Sequence, residues 1–210
     1  MSTPGADPIV DLDDRWGTID GASVRGTIEA EACEQLEIRG STFHGVTFER
    51  GSELSLDVAD AVFVDCDLTG LRFTTLTNSA FEGCKLSGVD LTTSVVRDVR
   101  FDRCVLRLTM IRMAELQRVR FEDSTLDDVD CYETRLGDVA FPGSSLRAVD
   151  LDKATFSRVD LRDAVELDLR SCRRFEGCLI TDAQVPALAY LLAQASGISI
   201  ERPELDEGDE

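Results

Sequence analysis

A five-residue period runs through this chain and fixes what it can fold into. From Leu76 to Leu161 every fifth residue is apolar: Leu76, Phe81, Leu86, Leu91, Val96, Phe101 and onward without a polar interruption. The residue two before each large one is small or branched, as in Cys84, Val89, Ser94, Val99 and Cys104. A helix cannot use this pattern, because five residues at 3.6 per turn advance about 500° and the apolar stripe smears round the cylinder. A flat strand fails as well, since an odd step sends successive large side chains to opposite faces. The chain must therefore turn one corner per five residues.

Four corners close a square coil of 20 residues, and residue size carries that second period. Phe81, Phe101, Phe121 and Phe141 are 20 apart, with Phe43 and Phe63 continuing the series upstream. The interval from Phe63 to Phe81 is 18, where two residues are missing between Phe73 and Leu76. These six phenylalanines form an expected inward ladder. Cys66, Cys84, Cys104, Ser124, Ser144 and Ala164 form a column of small residues on another side. The seven cysteines include no CxxC pair and no histidine cluster, which fits buried reduced thiols rather than a disulfide framework or a zinc site.

The pattern resembles the pentapeptide repeat family, whose repeat is loosely Ala-Asp/Asn-Leu-x-x with the large central residue inside. The matching stretches include Gly88-Val89-Asp90-Leu91, Val129-Asp130-Cys131, Val149-Asp150-Leu151 and Val159-Asp160-Leu161, within a region of about residues 28 to 163. The resemblance implies an all-β fold, a right-handed quadrilateral β-helix. The sequence divides into an N-terminal segment (1–23, partly disordered), the β-helix (24–180), a C-terminal helical cap (181–200) and an acidic tail (201–210). Seven coils about 4.8 Å apart give a rod on the order of 34 Å long. In the cap, Thr181 or Asp182 can start a helix and Gly197 can stop it. Its stripe of Val185, Leu188, Ala189 and Leu192 covers the end of the rod. Tyr190 and Leu191 lie off that stripe, so Val185, Leu188, Tyr190, Leu191 and Leu192 form a candidate dimer interface.

Few residues suggest chemistry. His44 is the only histidine, and no P-loop or GxGxxG is present, so no enzyme, cofactor or metal is expected. No apolar run is long enough for a membrane span, and the polar, acidic N-terminus is unlike a secretion signal, which predicts a cytoplasmic protein. Charge is the remaining feature. The chain carries 41 acidic and 22 basic side chains, net −19, which argues against direct nucleic-acid binding.

Acids recur at coil spacing: Glu82, Asp102 and Glu122 after the phenylalanine ladder, and Asp90, Asp130 and Asp150 on the opposite side. These six form the expected partner-binding surface, pointing to solvent. Seven arginines from Arg97 to Arg120 interrupt them as a basic belt. One branch of the family consists of acidic, dimeric fluoroquinolone-resistance proteins that imitate duplex DNA. The resemblance thus implies DNA gyrase, or another DNA-binding protein, as partner. A general protein-interaction scaffold is the alternative, with the arginine belt holding an acidic partner.

Overall fold

A computed structural model describes residues 15–50 and 54–200, apart from the side chain of Arg50. The segments 1–14, 51–53 and 201–210, including the expected disordered ends and Glu53 in the periodic frame, lie outside the described residues. The chain winds into a four-sided parallel β-solenoid of about eight coils, and every strand pairing is parallel.

On the first side Ile38, Val58, Leu76, Val96, Leu116, Leu136 and Phe156 lie in register. The second side aligns Phe43, Phe63, Phe81, Phe101 and Phe121. The third aligns Leu106, Leu126, Leu146 and Leu167. The fourth is narrower, with single bridges joining Asp90, Met110, Asp130 and Asp150.

The corners explain the period. From Asn78 to Arg158 every fifth residue, the one two after each large inward side chain, has a φ between 46° and 66°. This left-handed conformation turns the strand once per repeat. Glycine, asparagine and aspartate tolerate it best, yet Thr93, Leu108 and Met113 adopt it as well.

Inside, the six ladder phenylalanines stack in parallel, with centroids 4.5, 4.9, 5.0, 4.9 and 5.2 Å apart in sequence and planes within 15°. Phe73 meets Phe81 edge-on at 6.2 Å. The small column does more than fill space. Ser124 Oγ donates to the Glu122 carbonyl at 2.8 Å and accepts from the Cys104 amide at 3.0 Å, and Ser144 Oγ accepts from the Ser124 amide at 3.0 Å. Cys104 Sγ donates to the Phe81 carbonyl at 3.3 Å. These groups satisfy backbone polar atoms that would otherwise be buried without partners.

Ser94, buried in a different column with Ala114, Thr134 and Ala154, behaves otherwise: its Oγ has no hydrogen-bond partner. It lies one coil beyond the shortened stretch, where the expected two-residue loss appears as a step of 18 from Val58 to Leu76 and a register shift after Leu56. Ser94→Ala should therefore leave the melting temperature unchanged or raise it. Ser124→Ala, which orphans the Cys104 amide, should cost about 1–3 kcal/mol. Equal losses in thermal melts of the two variants would contradict this reading of the two serines.

Strands begin earlier than expected. Trp16–Asp20 pairs with Gln35–Arg39, inside the segment assigned to residues 1–23. A register shift between Arg25 and Thr27 breaks the five-residue step there and hides the first coil from the periodic pattern.

At the other end, a short 3-10 turn (Asp182–Gln184) leads into helix α1 (Val185–Ala195). Gln184 holds the junction: its Oε1 accepts from the Thr181 amide at 2.9 Å, and its Nε2 donates to the Leu161 carbonyl at 2.7 Å. Gly197, at φ +77°, ends the helix, with the Ile198 amide bonded back to the Ala193 carbonyl at 2.9 Å.

The expected apolar stripe is corrected in part. Leu188 is buried and Leu191 and Leu192 pack against the core, while Val185, Ala189 and Tyr190 are exposed. Leu191 thus belongs to the capping face. Entry through the 3-10 turn rotates the helix away from the orientation that a regular helix starting at Asp182 would have.

Candidate partner-binding surface

Outward positions in each repeat are of three kinds: the residues flanking the large inward one, and the corner. Glu82, Asp102 and Glu122 are flanking residues in direct register on the second side. Three stacked carboxylates would repel one another, and arginines lie between them. Arg100 Nε lies 2.6 Å from Glu122 Oε2 and Arg120 Nε 2.8 Å from Glu122 Oε1, while Arg103 reaches both Asp102 and Glu82. The hydrogen bond from Arg120, joined by Arg100, holds the Glu122 carboxyl below the usual range. Asp102 is only 4% exposed. It is not part of an outer surface, because Arg100 and Arg103 cover it.

Asp90, Asp130 and Asp150 are also corrected. Each is half-buried, and its Oδ1 accepts the amide two residues on, from Thr92, Tyr132 and Asp152 at 2.8, 2.9 and 2.8 Å. They shape the turn after the fourth side and do not stand free in solvent. Charge reversal there would disturb the fold. Met110 interrupts their column.

The arginine belt is a set of ion pairs. Arg97 meets Glu115 at 2.7 Å, Arg107 meets Asp127 at 3.0 Å, Arg112 meets Asp130 at 3.6 Å and Arg118 meets Asp98 at 2.6 Å. Arg100, Arg103 and Arg120 are engaged as above. Hydrogen bonding from Arg118 lowers the Asp98 carboxyl, and Arg158 does the same for Asp138 on the same corner. Among the described side chains, every lysine and arginine except Arg25, Arg135 and Arg174 pairs with a carboxylate. Such exposed pairs stabilise little individually, but together they leave the belt nearly neutral.

The uncompensated charge lies elsewhere. The exposed acids that join none of these pairs include Glu29, Glu49, Asp65, Asp123 and Asp163 on the third side and its corner, and Asp20, Glu31, Asp60, Asp168, Glu176 and Asp182 elsewhere. Glu29 and Glu49 are register partners in adjacent coils. Asp65 and Asp123 are corner residues between the second and third sides, with positive φ. Their carboxylates lie over glycines of the next coil: a Cβ on Gly83 would fall 2.5 Å from Asp65 Oδ1, and one on Gly143 would fall 2.1 Å from Asp123 Oδ1. Sequence reasoning missed Asp65 and Asp123 because it followed the flanking positions. The corner position, two after the large residue, is the signal that finds them.

Among the described residues no catalytic arrangement is evident. His44 lies on the outer second side, half-exposed. Burial pushes the thiols of Cys131 and Cys178 up to about 12 and that of Cys172 to about 11, so they stay protonated and unreactive at neutral pH. No group of three or more His, Cys, Asp or Glu among the described residues is placed to hold a metal ion. No described helix is long and apolar enough to cross a membrane.

A square parallel solenoid with five-residue sides, its outer face laced by ion pairs, defines a repeat protein built as a rod. A family model described as a pentapeptide repeat region matches residues 56–130, and one described as pentapeptide repeats (8 copies) matches residues 130–165. Together they span just over half of the sequence, and the chain belongs to the pentapeptide repeat family.

No curated protein matches the chain. Among solved structures, full-length QnrB1, a plasmid-mediated fluoroquinolone resistance protein, is similar at 16% identity over 81% of this chain and 99% of that one, with a TM-score of 0.39. HetL, involved in heterocyst differentiation regulation in the cyanobacterium Nostoc sp. strain PCC 7120, is similar at 13% identity over 79% and 90%, with a TM-score of 0.30. Values this low give no residue-by-residue equivalence, and family membership rests on the repeat.

Proposed function

We propose that this protein is a non-enzymatic, acidic rod that occupies the DNA-binding surface of a DNA-handling protein, with DNA gyrase the first partner to test, and does not itself bind DNA. The observation that supports this reading most is the distribution of unpaired charge. Most cations are engaged within the rod, while a surplus of exposed acids joins no ion pair, with Glu29, Glu49, Asp65, Asp123 and Asp163 of the third side and its adjoining corner among them. A basic groove built for phosphates offers these carboxylates the cations they lack, and a rigid solenoid presents them with little loss of conformational entropy. A dimer through the C-terminal end would lengthen the rod, with Val185 and Tyr190 as the exposed large residues of α1.

The test is a supercoiling assay with purified gyrase at low salt. Inhibition is expected, weakening as salt rises and as competing duplex is added. Joint reversal of Glu49, Asp65 and Asp123 to lysine should abolish it, and circular dichroism should show an intact fold. No inhibition by the unmodified protein would remove gyrase as partner and leave the interaction-scaffold reading in its place.

A further inference from the structure

The interior is not filled evenly. On the fourth side the large inward positions read Leu91, Ile111, Cys131 and Leu151, so the coil that starts at Leu116 closes its inner ring with the smallest of these side chains. The ring from Leu76 to Leu91 and the ring from Leu136 to Leu151 each consist of leucines and one phenylalanine. Cysteine lacks the branched end of leucine. Backbone hydrogen bonds between coils hold the rings at their spacing, so the neighbours close over the difference only in part.

Three observations agree on the result. A cavity of about 20 Å³ lies between the ring of Leu116, Phe121, Leu126 and Cys131 and the ring from Leu136 to Leu151, reaching Phe156 and Leu161 of the next coil. The phenylalanine ladder is widest across the same gap, at 5.2 Å from Phe121 to Phe141. The side chains facing it also retain accessible surface, 5% for Cys131 and 7% for Phe141 and Leu151, where Phe43, Phe63 and Phe81 retain 0%.

The lining decides what such a cavity can hold. It is wholly apolar apart from the Cys131 thiol, which makes no hydrogen bond, unlike the thiols of Cys66, Cys84 and Cys104. The amides and carbonyls of the surrounding strands are committed to adjacent coils. A water molecule would lack the roughly two to four polar partners it needs, and the lining therefore disfavours it. An ion or polar molecule would be desolvated without compensation. The volume exceeds the roughly 10–15 Å³ that one water-sized guest requires. An apolar atom inside would supply the dispersion contacts that the facing side chains lack, with the polarizable sulfur of Cys131 among them.

We propose that this cavity is a binding site for a small apolar guest, a monatomic or diatomic gas such as xenon or dioxygen, held between the two rings against the Cys131 side chain.

Xenon is the probe. Methyl NMR spectra of the full chain would be recorded under increasing xenon pressure, alongside Cys131→Leu and Cys131→Ala, with circular dichroism confirming that each variant is folded. In the unmodified protein the methyls of Leu126, Leu136, Leu146 and Leu151 should shift and saturate, while those of Leu36, Leu56 and Leu76 in the earlier coils should stay in place. Cys131→Leu fills the cavity and should abolish the shifts. Cys131→Ala enlarges it and should retain them. Absence of shifts in the unmodified protein, shifts spread evenly over both halves of the rod, or shifts that persist in folded Cys131→Leu would overturn the proposal. If leucine overpacks the ring and prevents folding, Cys131→Ala decides alone, and loss of the shifts there would overturn it as well.

Discussion

Replacing Phe101 by alanine should destabilise the protein by about 3–5 kcal/mol, and replacing it by leucine by much less. Phe101 is 1% exposed and stacked between Phe81 at 5.0 Å and Phe121 at 4.9 Å. Alanine would remove both ring contacts and leave a void that neighbouring coils cannot fill, because their spacing is fixed by backbone hydrogen bonds on three sides. Leucine keeps most of the volume and loses chiefly the stacking, a loss of about 0.5–1.5 kcal/mol per ring pair. Thermal and urea denaturation of the two variants would measure the difference. A solenoid can spread strain to its neighbours, so the sharper readout is hydrogen exchange, with protection falling most at Val95–Asp102 and Glu115–Glu122. Unchanged stability in Phe101→Ala would contradict a load shared through the ladder.

The second large effect is expected at the opposite kind of site, the end cap. Leu188 is the one buried residue of α1, at 1% exposure. Leu188→Ala should cost about 2–5 kcal/mol of local stability, and its consequence should be directional. With α1 undocked, the strand Glu166–Ser171 loses its cover and should exchange amide protons first, while the central coils keep their protection. Tyr190→Ala, on the outer face, should leave this gradient unchanged. Loss of protection spread evenly along the rod would show that the cap does not act locally.

Much of the fold was legible because a five-residue step is incompatible with both a helix and a flat strand, so Leu76 to Leu161 alone forces a corner per repeat. The ladder followed from residue size at a spacing of 20. The charged surface was less legible. Carboxylates such as Asp102 and Asp130 recur at the right interval, but their exposure depends on which arginine lies one coil away. Arg100 and Arg103 covering Asp102, or Arg112 reaching Asp130, are cross-coil contacts set by side-chain reach rather than by sequence interval. The face of α1 was misjudged because Gln184 ties the helix entry to the Leu161 carbonyl, a contact that no helical periodicity encodes.

The shortened coil has a consequence for how the chain finds its pairing. In a strictly uniform repeat, a strand shifted by one whole coil meets an equivalent neighbour, and many slipped alignments compete with the native one. Here the step from Val58 to Leu76 is 18 while those on either side are 20. A slipped alignment that crosses this seam therefore moves every inward side chain two positions out of phase. Phe73, edge-on to Phe81, marks the seam from within. The irregularity thus acts as a vernier, giving a chain of near-identical units one winding that all of them can share.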